Sequence, residues 1–159
     1  MMTKRKDDVL KMNKPILKIK KLNPDVSLPE KKTAGAACCD IACLSDMTIY
    51  PHEEKAACMP TGLAFEIPKG YHIQIYLRSS TGANRHLRLA NGTGIIDSDY
   101  RGEIKLLFEN LGKQPEHVKA GQHLCQFMLV KDLQFEIKEE VKSLSETKRG
   151  KGAMGSTGE

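Results

Sequence analysis

The densest cluster of polar and turn-forming residues in this 159-residue chain is Asn91-Gly92-Thr93-Gly94-Ile95-Ile96-Asp97-Ser98-Asp99-Tyr100-Arg101-Gly102-Glu103. Gly92 and Gly94 permit positive φ or a close backbone approach, so a hairpin here offers peptide N–H and C=O groups to a planar base. Asp97 is then a carboxylate at the mouth of that hairpin. Taken alone, the same residues also describe a polar β-turn with a solvated Asp and Arg. A second candidate is the tail, in which four glycines follow Lys148 within eleven residues. Such a segment cannot hold a regular element by itself and is suited to ordering on a ligand. Cys38, Cys39 and Cys43 suggest thiolate metal ligation, but no C-x-x-C pair or second cluster at zinc spacing accompanies them, and small buried side chains on a strand fit them better.

The elements that must position these residues read as β from Pro15 onward. Ile16-Leu17-Lys18-Ile19-Lys20 begins a strand. In Tyr71 to Arg78 the residues Tyr71, Ile73, Ile75 and Leu77 share one face, while His72, Gln74, Tyr76 and Arg78 share the other. Ile104, Leu106 and Phe108 alternate in the same way, whereas Leu124 to Val130 is apolar on both faces and predicts a fully covered strand. Turn signals separate the runs: Asn23-Pro24-Asp25, Pro51-His52, Pro60-Thr61-Gly62, Pro68-Lys69-Gly70, Asn91-Gly92 and Asn110-Leu111-Gly112. Short strands at this spacing predict an all-β sandwich or jelly roll. Only Ser79 to Arg85 and Glu139 to Ser145 have room for a turn or two of helix.

One core is expected from the length, with residues 1–13 as a flexible basic arm, 14–142 as the β domain and 143–159 as a mobile tail. The formal charge is +5, but residues 1–32 hold ten Lys/Arg against four acids, and the other 127 residues hold 15 against 16. A nucleic-acid protein carries its excess cation on the folded surface that meets the polyanion, so only the arm invites such a partner. No run approaches the roughly 18 apolar residues of a membrane span, and the N-terminus shows neither a secretory h-region nor a transit-peptide composition. Five cysteines form no paired framework, which fits reduced thiols in the cytoplasm or nucleus.

Gly94 to Glu103 resembles the third motif of the trimeric deoxyuridine triphosphatases (dUTPases), and four further motifs follow that family's order. Ala37-Cys38-Cys39-Asp40-Ile41 is similar to A-G-x-D-L, Arg78-Ser79-Ser80 to R-S-G, and Gly121-Gln122-His123-Leu124-Cys125-Gln126 to G-D-R-x-x-Q. Arg149 to Gly158 is similar to R-G-x-G-G-F-G-S-T-G. The resemblance covers residues 15–159 and implies a β jelly roll assembled as a homotrimer, with three active sites that each draw on all three subunits. It implies hydrolysis of dUTP to dUMP and pyrophosphate, with Asp97 orienting the water that attacks the α-phosphorus and Tyr100 packing under the deoxyribose. Asn91 would pair with the uracil edge together with the backbone of Gly94 to Ile96. Arg78, Ser79, Ser80 and Gln126 would hold the phosphates. Arg149, Met154, Gly155, Ser156 and Thr157 would close over the substrate from the tail. Asp40 would support hydrated Mg²⁺, an ion held mainly by the phosphates and water.

A dCTP deaminase of the same fold is disfavoured by the tail motif. A silent binding module with a basic arm would have no need of Asp97, Tyr100 and Arg149 together. The sequence departs from the family pattern at Cys38 and Ser80, each in place of Gly, at Gln122-His123 in place of Asp-Arg, and at Met154 in place of the tail Phe that stacks on uracil. Aromatic stacking on a base contributes about 1–3 kcal/mol and a thioether against a π ring about 0.3–1.5 kcal/mol. Lid closure should therefore be weaker here than with Phe, with activity retained. Steady-state kinetics of Met154→Phe should show a rise in kcat/KM for dUTP; no gain would refute the stacking difference.

Overall fold

A computed structural model describes residues 14–140 and 142–153. The arm 1–13 and the tail residues Met154, Gly155, Ser156 and Thr157 lie outside the described residues. Ten strands and one short helix follow in the order β1 (Lys18–Lys21), β2 (Cys39–Ala42), β3 (Met47–Ile49), β4 (Ala57–Glu66), β5 (Tyr71–Leu77), α1 (Ser79–Asn84), β6 (Leu87–Leu89), β7 (Gly94–Ile96), β8 (Glu103–Asn110), β9 (Glu116–Val118) and β10 (His123–Lys131). One sheet has the order β1-β4-β8-β6 and the other β2-β10-β5-β7, while β3 and β9 form a separate pair. Every ladder is antiparallel.

The period-two pattern places the core between the two sheets. From β8 come Ile104, Leu106 and Phe108, and from β5 come Ile73 and Ile75, all essentially without solvent contact. Phe65 of β4 meets Phe127 of β10 with ring centroids 5.2 Å apart, which ties one sheet to the other. All five cysteines are free thiols. Burial pushes the Cys43 thiol up to about 11 and raises Cys125 further still, so neither is a ready nucleophile.

Four local expectations need correction. Pro60-Thr61-Gly62 is not a turn between strands but an irregularity inside β4, where the register against β8 shifts between Pro60 and Ala64. Gly62 takes φ +67°, its N–H donates to Glu103 Oε1 at 2.8 Å, and the buried Thr61 hydroxyl donates to Ile104 O at 2.7 Å. These bonds satisfy the ladder groups that the bulge releases, so the strand continues. Within one chain β10 is covered along the face of Cys125 and Phe127, with Leu124 buried at the register shift before Cys125, while Gln126, Met128 and Val130 on the outer face stay half-exposed. The segment from Asn91 to Glu103 is not a paired hairpin, because β7 pairs with β5 in one sheet and β8 with β4 and β6 in the other. It is a corner between the sheets. Finally, α1 forms as expected, but the described residues of 139–145 are exposed and without helix, since they pack no apolar face on the core.

The Asn110-Leu111-Gly112 turn is held by a side chain. Asn110, 2% exposed, donates from Nδ2 to Ile49 O at 2.9 Å and to Gln114 O at 2.8 Å, and its Oδ1 accepts from Gly112 N at 2.8 Å. Its removal strands these partners in a dry site, so Asn110→Ala should cost about 2–3 kcal/mol, read as a lower urea midpoint at unchanged slope.

Candidate active site: a base-binding corner and a phosphate cluster

The two glycines that open the polar cluster act by different means. Gly92 has φ +68°, with its N–H donating to Leu89 O at 2.9 Å, and so turns the chain out of β6. Gly94 has ordinary backbone angles but lies against β5: an added Cβ would stand 3.2 Å from Ile75 Cβ and 3.6 Å from Asn91 Nδ2. Close approach, not a left-handed turn, is its requirement. β7 then pairs Ile96 with Ile73, and Asp97 emerges exposed just past the ladder, sharing an open cavity with His72, Ile95, Ser98, Asp99 and Asp132.

The corner is braced from within. Tyr100 N–H donates to Asp97 O at 3.2 Å, and Arg101 Nη1 donates to Ser98 O at 2.7 Å and Tyr100 O at 2.9 Å. The Tyr100 hydroxyl donates to Glu103 O at 3.0 Å, which lays the ring across Gly102. A Cβ on Gly102 would fall on the Tyr100 hydroxyl and 2.6 Å from its Cζ. Arg101 and Gly102 are positioning residues that sequence reasoning did not single out; the signal was the Arg-Gly pair directly after the tyrosine.

At the other end of β5, Arg78 continues the strand with its N–H on Leu124 O at 2.9 Å. Its guanidinium donates from Nη1 to His123 O at 3.0 Å and pairs through Nε with Asp40 Oδ1 at 3.1 Å. Asp40 on β2 is opposite Gln126 on β10, which in turn is opposite Tyr76. Gln126 donates from Nε2 to Leu77 O at 3.2 Å, so a phosphate contact through that amide would exchange this bond. Ser79 and Ser80 are exposed in the first turn of α1 beside Arg78. Asp40, Arg78, Ser79, Ser80 and Gln126 are thus gathered on one rim, with Asp40 and Arg78 as an ion pair between strands. Gln122, which departs from the family pattern, accepts at Oε1 from Arg85 Nη2 at 3.3 Å and from Lys119 N at 3.1 Å, and so ties α1 to the β9–β10 turn.

The corner and the rim lie apart. Asp97 follows Ile96, opposite Ile73, whereas Arg78 follows Leu77, so about 20 Å of strand separates them at roughly 3.3 Å per residue. Arg149 donates from Nε to Gly152 O at 3.0 Å within an exposed turn.

The dUTPase family model matches residues 25–158. The chain belongs to the dUTPase family. The deoxyuridine 5'-triphosphate nucleotidohydrolase of Nautilia profundicola is 43% identical over 142 residues, which cover 89% of this chain and 98% of the relative. That of Hydrogenobaculum sp. is 38% identical over 142 residues, covering 89% and 97%. Among solved structures, a dUTPase of Staphylococcus bacteriophage 80alpha with dUpNHpp aligns at TM-score 0.79 and 24% identity over 90% of this chain and 98% of that one. A dUTPase of the S. aureus phage phi11, described with a structural Mg(II) ion, aligns at TM-score 0.71 and 22% identity over 80% and 97%. Those likenesses support the dUTPase jelly roll. For the dUTPase corner the geometry predicts that Gly102→Ala displaces the Tyr100 ring, lowering affinity for dUpNHpp about tenfold or more, a loss of the size of one stacking contact. Unchanged binding by calorimetry would show that Tyr100 does not form the sugar floor.

Proposed function

We infer that this chain hydrolyses dUTP to dUMP and pyrophosphate, limiting uracil available to DNA synthesis and supplying dUMP for thymidylate formation. The observation that carries this is the dUTPase match over residues 25–158, which contains both the corner and the rim. In the mechanism, the Asn91 amide and the backbone of Gly94 and Ile96 pair with the uracil edge. The close packing of Gly94 on Ile75 leaves the corner little freedom to admit a thymine methyl. Tyr100, 44% exposed, offers its ring to the deoxyribose, where contact leaves no room for a 2′-hydroxyl. Asp97 accepts the proton of a water as that water's oxygen bonds to the α-phosphorus. The bond from that phosphorus to the bridging oxygen breaks, and pyrophosphate departs in line.

Arg78, Ser79, Ser80 and Gln126 hold the phosphates through charge-assisted hydrogen bonds. The Asp40 pair keeps the guanidinium aimed before substrate arrives. Arg149 clamps the γ-phosphate as the 143–159 tail closes with Met154 on the base and Gly155, Ser156 and Thr157 on the phosphates, shutting out bulk water. Among the described residues no group of three or more His, Cys, Asp or Glu side chains could cage a metal. The residues present fit Mg²⁺ as an ion carried by the phosphates, because Asp40 commits Oδ1 to Arg78 and a carboxylate has a second oxygen for a metal-bound water. When bound, Mg²⁺ would neutralise phosphate charge and fix the triphosphate geometry.

The assembly that suits this chemistry is a homotrimer with shared sites. One chain holds Asp97 and Arg78 at opposite ends of β5, so a single site takes its corner and its rim from different copies. Two further features support it: the half-exposed outer face of β10, and the alternating Leu133, Phe135 and Ile137 at 86%, 82% and 91% exposure in the extended segment after β10. An apolar alternation of this kind has one face to bury against a neighbouring sheet. Among the described residues no helix is long and apolar enough to cross a membrane. A cytoplasmic or nuclear setting fits the free thiols, and the basic arm 1–13 is left for targeting or weak contact with an acidic partner.

Pyrophosphate release should occur with dUTP and not with UTP, dTTP or dCTP, and uracil products from dCTP would favour the deaminase reading instead. Asp97→Asn should lower kcat by about 10²–10⁴. Mixed unfolded and refolded with an Arg78→Gln chain, itself inactive, it should regain activity in about a quarter of the sites if each joins two copies of a ring. No recovery would mean that corner and rim act within one chain.

A further inference from the structure

Among the described residues without a role so far, Lys32 lines a cavity together with Asp40 of the phosphate rim. The loop from Ser27 to Ala37 closes one side of a small cavity whose walls include Ser27, Pro29, Glu30, Lys32, Asp40 and His123. Asp40 is the carboxylate that holds Arg78, so this cavity opens on the same rim as the guanidinium. Lys32 Nζ is 2.8 Å from Glu30 Oε1, with side chains 57% and 72% exposed. That hydrogen bond and the charge of Glu30 raise the Lys32 pKa, with smaller effects from Asp40 in the same sense and from Arg78 in the opposite one. The ammonium therefore lies within electrostatic reach of both members of the Asp40–Arg78 pair. An exposed pair such as Lys32–Glu30 contributes little to stability, so the ammonium is released at small cost to an anion of higher charge.

We propose that Lys32 is a further substrate-binding residue, contacting the pyrophosphate portion of the nucleoside triphosphate from the loop side of the Asp40–Arg78 rim, with Glu30 as the carboxylate it leaves on binding. This rests on Asp40, Arg78 and Gln126 being the phosphate end of the site. Lys32 shares a cavity with Asp40, and Arg78 is paired to the same carboxylate, so an oligophosphate entering the rim meets two cations. Bidentate fixation belongs to the Arg, while the Lys acts as a mobile point charge. Glu30 then sets how much of that charge is free in the empty enzyme. The charge acts on the β- and γ-phosphates and not on the base or sugar, so it distinguishes the two products: pyrophosphate feels it and dUMP does not.

The test uses the full chain with Mg²⁺. Lys32→Met should raise KM for dUTP about two- to fivefold, the range of one exposed charge pair, with kcat little changed. It should weaken inhibition by pyrophosphate by a similar factor and leave inhibition by dUMP unaltered. The difference from the parent should shrink at high salt, since screening shortens the reach of an exposed charge. Glu30→Gln should move KM in the opposite direction. Arg78→Gln, which does not turn over, is the control for the rim, with pyrophosphate binding to both variants read by calorimetry. Weaker pyrophosphate binding in Arg78→Gln but not in Lys32→Met would overturn the Lys32 assignment alone. No change in either variant would overturn the rim as well. Equal weakening of dUMP and pyrophosphate in Lys32→Met would also overturn the proposal, because it would show a general disturbance of the site.

Discussion

Strand β5 carries a ladder on each edge, to β10 on one side and to β7 on the other, and the register of those two ladders sets the position of every group with chemistry. The β10 ladder brings Gln126 level with Tyr76 and, through β2, places Asp40 beside Arg78. The β7 ladder ends where Ile96 meets Ile73, which delivers Asp97 at the opposite end of the strand. A slip of one residue in either ladder would turn Ile73 and Ile75 outward and carry the polar face inward, so burial of those isoleucines locks the register. The hydrophobic core and the separation of the two half-sites therefore have one origin.

The corner from Asp97 to Glu103 is coupled to the same frame by hydrogen bonds at its Glu103 end. Glu103 accepts the Tyr100 hydroxyl at its backbone oxygen, and its side chain accepts the Gly62 N–H inside the β4 bulge. The bulge, the start of β8 and the Tyr100 ring thus form one bonded unit. It explains why Tyr100 can stand 44% exposed and still be fixed: its support is the backbone beneath it, at Gly102, and not a surrounding core.

Much of this was legible in the residue pattern. The alternation in Tyr71 to Arg78 and in Ile104 to Phe108 gave the buried faces correctly, because a strand with one face in the core has no other period. The motif order also held, and the departure at Gln122 finds a partner in Arg85. What was missed shares a cause. Pro60-Thr61-Gly62 read as a turn because Pro and Gly punctuate chains locally, but the Glu103 carboxylate that lets the strand continue through it lies 41 residues away. Asn91 to Glu103 read as a hairpin because Gly92 and Gly94 suit one, and only the pairing of β7 with β5 and of β8 with β4 shows a corner.

The amino-acid sequence by itself determined which side chains are available, which strand face each occupies and, through five ordered motifs, the family and its chemistry. Those properties are local: a period of two and a spacing of a few residues are written in the chain. Only the tertiary structure decided that Asp97 and Arg78 stand at opposite ends of one strand, that Asp40 is held by Arg78, and that Lys32 lines a cavity with Asp40. Pairing partners in a sheet are chosen by long-range ladders and shared burial, which no short stretch of sequence encodes, and those choices turn a set of motifs into two clusters at opposite ends of one strand.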